Sequence, residues 1–392
     1  MSPEIVIASA KRTPLGAFQG ALAPVTAPQL GSAAARAAVE AAGIRAADIQ
    51  EVILGCVLPA GLGQAPARQA AIGAGLSLAT PATTINKMCG SGLKAVMMAA
   101  DQIRAGGAEI VLAGGFESMT QAPYLLPKAR AGYRMGHGEV IDHMFLDGLQ
   151  SPFDGKLMGC FADATAARYG FTRERQDALA AESVRRATAA VQGAFDAEIV
   201  PVTVKGRKGE ATVARDETPG TCDVHKIPSL RPAFGKDGTV TAASASSIAD
   251  GAAALVVMSG SAAHSLGVKP LARILAQASY AQEPEWFTTA PVGAMRKVLA
   301  QLGWQSRDVD LYEINEAFAT VPLAAMQELD LDHARVNVNG GACALGHPLG
   351  ATGARILTTL LHALHRHGGK RGIASLCIGG GEAVAVAVEM IG

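Results

Sequence analysis

The sequence predicts an α/β protein made of two similar halves, with a loop-rich segment inserted into the first. Short runs rich in valine and isoleucine alternate with alanine-rich stretches of helical period, the mark of helices laid on a sheet. Two pairs of segments echo one another. Ile110-Val111-Leu112-Ala113-Gly114-Gly115 resembles Ala374-Ser375-Leu376-Cys377-Ile378-Gly379-Gly380, each an apolar strand ending in glycines. Residues 86–97 and 339–356 are likewise both turns of small residues that open a helix. Between residues 119 and 247 the texture changes to charge-dense stretches and turn-rich loops, which sets that segment apart.

Taken in order, strands are expected at residues 4–9, 51–58, 109–113, 253–258, 334–338 and 372–378, each a short apolar run bounded by glycine or polar residues. Helices are expected at residues 29–42, 92–105, 291–302 and 353–367, closed mostly by glycines. Inside the insert, residues 172–192 read as a helix with a charged first turn and Thr172 as its N-cap. These elements assign residues 1–118 and 248–270 to the first half, 119–247 to the insert and 271–392 to the second half.

Composition bounds the function. A chain of 392 residues can build more than one ordinary core. Its 34 basic and 34 acidic residues cancel, so no global field draws it to nucleic acid or an anionic membrane, and an anionic ligand must be held locally. No apolar run reaches the roughly 20 residues that span a bilayer. A strand-like run begins almost at Met1, leaving no room for a targeting segment. Cys56, Cys89, Cys160, Cys222, Cys343 and Cys377 show no CxxC spacing, which fits a reduced, cytoplasmic, metal-free protein.

Several segments carry groups suited to chemistry. Cys89, in Met88-Cys89-Gly90-Ser91-Gly92, opens a helical pattern, where unpaired N–H groups and the helix dipole favour a thiolate. Gly90 and Gly92 would leave room for a substrate to approach. A lone cysteine, by contrast, usually serves as a small buried filler. Asn315-Glu316-Ala317-Phe318 follows a strand-like run at residues 309–314, at the strand end where open α/β sheets bind ligands, though Asn315 could equally cap the next helix. His347 lies in the glycine-dense run Gly346-His347-Pro348-Leu349-Gly350, and Cys377 ends a strand before Gly379-Gly380-Gly381. Residues 241–251, small and hydroxyl-bearing, suit the wall of a channel for a slender ligand. A thiol at a helix start, a histidine in a glycine loop and an asparagine beyond a strand are the parts of a Cys-His-Asn acyl-transfer site. A second thiol then needs a second task.

These motifs resemble those of the thiolases, from Ala10-Lys11-Arg12-Thr13-Pro14 through Cys89-Gly90-Ser91-Gly92, Gly114-Gly115-Phe116-Glu117-Ser118-Met119, Asn315-Glu316-Ala317-Phe318 and Gly346-His347-Pro348 to Cys377-Ile378-Gly379-Gly380-Gly381. The resemblance spans nearly the whole chain. It implies a thiolase fold in five α-β-α-β-α layers, an inserted loop domain that contacts coenzyme A and neighbouring subunits, and a homotetramer. The implied reaction condenses two acetyl-CoA to acetoacetyl-CoA, or runs as thiolysis in reverse, without cofactor or metal. His347 would take the proton from Cys89, Cys89 would carry the acyl group, and Cys377 would remove the α-proton of the second acetyl-CoA. One oxyanion site would be made by His347 with a water held by Asn315, the other by the backbone N–H groups of Cys89 and Gly379. Ser246 would lie near the pantetheine arm, and Leu149, Leu157, Met158, Phe234, Ala317 and Phe318 near the acyl end.

The chain departs from the family pattern in places. Leu157-Met158-Gly159 stands where acetoacetyl-forming members usually show His-Met-Gly, Trp286-Phe287 is bulky for the pocket, and Ala249 replaces a usually polar residue. Residues 216–228 are short where a basic contact to the nucleotide phosphate is usual, which leaves His225 or Lys226 for that contact. A longer 3-ketoacyl-CoA is therefore the alternative substrate. Decarboxylating ketoacyl synthases share the fold but need no second cysteine. A relative without catalysis would lack Cys89, His347 or Cys377, and all three are present.

Overall fold

In the computed structural model, which describes residues 3–206 and 209–391, the apolar runs form one mixed sheet folded around two buried helices. Met1, Ser2, Arg207, Lys208 and Gly392, included in the segments assigned above, lie outside the described residues. The first half supplies β1 (Ile5–Arg12), α1 (Ala27–Ala42), β2 (Glu51–Gly55), α2 (Pro66–Gly73), β3 (Ala82–Ile85), α3 (Ser91–Arg104) and β4 (Ile110–Ser118). The insert follows with α4 (Met158–Tyr169) and α5 (Arg173–Ala190), and β5 (Ala249–Ser259) returns to the first half. The second half supplies β6 (Ala272–Ala281), α6 (Ala290–Leu302), β7 (Leu311–Ile314), α7 (Thr320–Leu329), α8 (Leu349–His367), β8 (Arg371–Ile378) and β9 (Glu382–Met390).

The halves repeat one plan. Outward from their seam, β1-β5-β4-β2 and β6-β9-β8-β7 show the same succession of antiparallel, antiparallel and parallel neighbours, with β3 parallel to β2 at one edge. At the seam β1 and β6 run antiparallel, with Val6 opposite Arg273 and Ile7 opposite Ala272. The insert takes the place that the short turn Gly379-Gly380-Gly381 fills between β8 and β9.

Side-chain alternation converts the sheet into layers. Along β9, Val384, Val386 and Val388 join α3 and α8 in one buried cluster, whereas Ala383, Ala385 and Ala387 join α6 and α7 in another. In the first half, Ile7, Leu255 and Val257 face the central helices while Val6, Val256 and Met258 face α1 and α2. Because strand side chains alternate with period two, each half-sheet is covered on both faces. Three helical layers and two sheet layers result, as expected from the family resemblance.

Residues 334–338 do not form the expected strand. His333–Arg335 is a 3-10 turn, Val336 makes one parallel bridge to Tyr312, and Asn337 adopts φ +49° in the left-handed region. The Asn337 side chain substitutes for strand backbone at the edge of β7, accepting from Ile314 N and donating to Ile314 O, both at 2.8 Å. β2 also stops at Gly55, short of the expected end at residue 58, because Val57 N and Leu58 N turn to the Glu117 carboxylate. The insert's helix forms with Thr172 accepting from Arg175 N at 3.3 Å, as the sequence predicted.

The insert is fastened to β1 by Arg12, which is fully buried. Its Nε meets Glu198 Oε1 at 2.5 Å, and Nη1 and Nη2 bind Asp216 Oδ1 and Oδ2 at 2.7 and 2.9 Å. The guanidinium also lies 4.7 Å over the Phe195 ring.

Candidate active site

α3 and α8 lie together in the central layer, and their N-terminal turns touch. Added Cβ atoms would stand 2.8 Å from Ala354 N at Gly92 and 2.3 Å from Leu93 N at Gly353, so only glycine permits this approach. The contact sets Cys89, just ahead of α3, and His347, just ahead of α8, at the same end of the layer.

Local hydrogen bonds fix the Cys89 turn. Asn86 Oδ1 accepts from Met88 N at 2.9 Å, Ser91 Oγ accepts from Lys87 N at 2.8 Å, and Met88 sits at φ +47°. The half-buried sulfur faces the backbone N–H groups of Gly379 and of Cys89 itself. These donors favour a thiolate, yet burial outweighs them and, with the Glu117 charge, pushes the thiol up to about 11. The resting sulfur is thus protonated, contrary to the expectation from the helix terminus alone. Gly90 also has a different purpose from the one expected: a Cβ there would stand 2.3 Å from Ile378 Cδ1, so its absence lets the end of β8 close on the Cys89 turn rather than admitting substrate.

That closure brings Cys377 beside Cys89. Cys377 is fully buried at the end of β8, and burial together with the Cys89 sulfur pushes its thiol well above the ordinary range. The glycines following it deliver the Gly379 N–H to the Cys89 sulfur.

His347 is buried and held on three sides. Its backbone N–H donates to Ser247 O at 2.9 Å, its Nδ1 lies 2.6 Å from Thr352 Oγ1, and its Nε2 lies 3.4 Å from Asn315 Nδ2. Burial, reinforced by the Arg355 guanidinium, holds the imidazole neutral by pushing its pKa down to about 3. Asn315 does not cap a helix, since α7 begins only at Thr320. It extends β7 by donating its N–H to Ser375 O at 3.0 Å, and its side-chain Oδ1 is buried without a protein hydrogen-bond partner.

Two residues emerge from the structure rather than from the sequence. Glu117, at the end of β4, is fully buried and accepts from Val57 N at 2.9 Å, Leu58 N at 3.1 Å and Gly350 N at 2.8 Å, so one carboxylate ties both halves together behind the site. Burial raises its pKa to about 7 despite those donors. Thr352 holds the far side of the His347 ring. The former lay inside a recognisable motif and the latter one turn past the histidine, and those positions were the only signals available.

The expected acyl-end residues are distributed around this centre. Leu149, like Cys89 and Met88, packs against the buried cluster of Val57, Leu58, Met119, Met144 and Leu349, and Met158 Sδ would lie 3.6 Å from a Cβ on Gly379. Phe234 meets Phe318 edge-on at 5.8 Å, and Ala317 O accepts from Ser246 N at 2.9 Å. Leu157 is half-buried just ahead of α4. Phe287 is buried between Phe161 and Phe318 at 6.3 and 6.4 Å instead of standing in open space, and Trp286 lies under Arg168 at 4.3 Å. Of the small residues at 241–251, Thr241 and Ser244 are buried and close a turn, Thr241 N donating to Ser244 Oγ at 2.8 Å. In the stretch offered for phosphate contact, Asp216 is spent on Arg12, while His225 and Lys226 stand exposed on the 3-10 turn Val224–Ser229. Among the described residues no three His, Cys, Asp or Glu side chains are grouped to hold a metal ion.

A thiol facing two backbone donors, a neutral imidazole and a second buried thiol can together transfer an acyl group and a proton. Comparison with known proteins agrees with that chemistry. Residues 5–261 match the family model described as "Thiolase, N-terminal domain", and residues 268–390 match "Thiolase, C-terminal domain". The chain is 52% identical over 387 residues to an acetyl-CoA acetyltransferase of Pseudomonas aeruginosa, covering 98% of each chain. It is 51% identical over 389 residues to one of Escherichia coli, covering 98% of this chain and 99% of that one. The crystal structure of the Bacillus anthracis acetyl-CoA acetyltransferase superposes with a TM-score of 0.97 at 43% identity, covering 100% of this chain and 99% of that chain.

Proposed function

The chain belongs to the thiolase family, and from that premise we propose that it is an acetyl-CoA C-acetyltransferase, condensing two acetyl-CoA reversibly to acetoacetyl-CoA and coenzyme A. The observation that carries the reading is the pair of thiols: Cys89 faces the Gly379 N–H, and Cys377, two residues before Gly379, adjoins it.

The resting groups are neutral, so proton transfer must accompany attack. His347 Nε2 takes the Cys89 proton as the sulfur adds to the thioester carbonyl, whose oxygen gains charge against the N–H groups of Cys89 and Gly379. When the tetrahedral adduct collapses, the departing coenzyme A sulfur takes the Cys377 proton, leaving an acyl-Cys89, a Cys377 thiolate and an imidazolium. The thiolate then removes an α-proton from the second acetyl-CoA, and the enolate oxygen is stabilised by His347 Nε2–H and by a water on the Asn315 amide. The enolate attacks acyl-Cys89, the carbon–sulfur bond breaks, and His347 returns its proton to Cys89. Every transfer uses side chains or backbone, so the reading calls for no resident cofactor or metal; the coenzyme A thioesters are substrates.

Acetoacetyl-CoA is the preferred ketoacyl substrate, a reading supported by the relatives' names and by the aromatic cluster of Phe234, Phe287 and Phe318 beside Met158. The apolar Leu157 favours a second reading, thiolysis of longer 3-ketoacyl chains. Thiolysis measured against 3-ketoacyl-CoA chain length decides: kcat/KM should be highest for acetoacetyl-CoA, and a rise with chain length would replace the first reading by the second.

No described helix is long and apolar enough to cross a membrane. The reading places the enzyme in the cytoplasm, within fatty acid metabolism, as a homotetramer. Supporting assembly, Tyr124, Leu126, Met135 and Val140 expose large apolar side chains on and beside the hairpin of Tyr124–Leu125 with Ile141–Asp142. Sedimentation equilibrium should return four times the chain mass.

A further inference from the structure

Thr352 Oγ1 lies 2.6 Å from His347 Nδ1 and 2.8 Å from Pro348 O, and the residue is fully buried in the first turn of α8. A hydroxyl has one hydrogen to give. Pro348 O is a carbonyl and can only accept, so the Thr352 hydrogen points there, back along the helix. The hydroxyl oxygen must then accept from His347, which places a hydrogen on Nδ1 and leaves Nε2 with a bare lone pair.

We propose that Thr352 is a positioning residue that selects the Nδ1–H tautomer of His347 and so aims a proton-accepting Nε2 at the Cys89 reaction. The inference rests on the function proposed above and assigns a task to a residue that the acyl-transfer steps do not themselves use. The other groups facing the ring agree with it. Asn315, from the loop after β7, presents its Nδ2 to Nε2 at 3.4 Å, a donor toward a lone pair. Arg355, further along α8, acts on the ring only as a positive charge. Because the ring is buried, a lost Nδ1 partner is not simply replaced by bulk water. Once Nε2 has taken the Cys89 proton, the same Nδ1–H bond holds the imidazolium in register for the return transfer.

The test uses Thr352→Val, which keeps the shape and removes the hydroxyl, with Thr352→Ser as the conservative control. Two readouts are compared: the pH profile of Cys89 alkylation by iodoacetamide, with the site identified by mass spectrometry, and the rate of acyl-enzyme formation from acetyl-CoA; kcat and KM of the overall reaction are measured alongside as a third. Thr352→Val should slow both by about 10- to 100-fold near neutral pH, by analogy with the range found when the hydrogen-bond partner of a metal-ligating histidine is removed. It should also move the alkylation profile to higher pH and lower kcat more than it changes KM, and Thr352→Ser should restore all three. A folded Thr352→Val with the wild-type alkylation profile overturns the proposal. If that variant does not fold, Thr352→Ala is compared with Thr352→Ser on the same profile, and equal profiles overturn it. Alkylation needs no substrate, so a wild-type enzyme that alkylates at Cys89 but thiolyses no 3-ketoacyl-CoA would defeat the proposed function and still report on Thr352.

Discussion

Cys89 and His347 hold equivalent places in the two halves: Cys89 stands two residues ahead of α3, which begins at Ser91, and His347 two residues ahead of α8, which begins at Leu349. On the proposed mechanism, one repeated turn-and-helix unit therefore supplies the nucleophile from the first half and its base from the second. The contact of Gly92 with α8 and of Gly353 with α3 makes the two turns neighbours. A helix N-terminus favours negative charge over positive, so the same placement that assists a sulfur anion disfavours an imidazolium. At Cys89 burial outweighs that help and leaves the sulfur protonated at rest, while at His347 the helix terminus acts in the same direction as burial and the Arg355 charge, which keep the base neutral.

On the proposed mechanism the two thiols divide the reaction, which predicts separable defects. Cys89→Ala should incorporate no label from radiolabelled acetyl-CoA. Cys377→Ala should still accept label at Cys89, more slowly because the departing coenzyme A sulfur loses its proton donor, but form no acetoacetyl-CoA, because the sulfur that removes the α-proton is gone. Protein-bound counts and product formation are measured in parallel. Equal labelling of Cys89→Ala and wild type would sink the assignment.

Glu117 makes stability pH-dependent in a direction set by its raised pKa of about 7. Between the ordinary carboxyl value of 4.5 and that pKa, the folded chain keeps a proton that the unfolded chain has lost. The folded state binds more protons in that window, so this group's contribution falls as pH rises, by roughly 3 kcal/mol in total. Glu313, raised to about 8, acts in the same sense, while His347, lowered to about 3, acts oppositely below 6.5. Only the difference between wild type and Glu117→Gln isolates the group. Urea unfolding at fixed protein concentration should show a stability difference that varies across pH 4.5–7 and levels off above it, and a pH-independent difference would refute the assignment.

The sequence carried the architecture where one physical pattern acted alone. β-branched runs at β1, β4, β5 and β8 and glycine stops after α1 and α8 were readable because burial on both faces and left-handed caps leave local marks. Residues 334–338 misled because Val336 and Val338 promised a strand that the Asn337 side chain, bonded to Ile314, replaced. Cys89, His347 and Cys377 were visible through residue type and glycine context, and Asn315 through its place after a strand-like run. The protonation state of Cys89 was not, since burial and Glu117 decide it against the helix terminus. Glu117 itself meets Gly350 across 233 residues, a partnership no local window contains.

Arg12 offers the last prediction. Its guanidinium is the shared counter-charge of Glu198 and Asp216, both at most 1% exposed at the side chain, and Asp216 Oδ1 additionally accepts from Leu15 N at 2.8 Å. Arg12→Ala would leave two buried carboxylates without the cation bonded to them and strip the Phe195 ring of its partner, a change expected to lower the unfolding free energy by about 3–5 kcal/mol. Arg12→Lys should recover little of it, because an ammonium cannot bridge Nε-type and paired Nη-type contacts to two carboxylates at once. The damage should begin in the insert, since Glu198 and Asp216 are its ion-paired attachments to β1, so limited proteolysis of either variant should cut between residues 191 and 220 before the core is cleaved. Denaturant unfolding with a loss under 1 kcal/mol for Arg12→Ala, or first cleavage within β1 to β4, would show that the insert is held by something other than this buried triad.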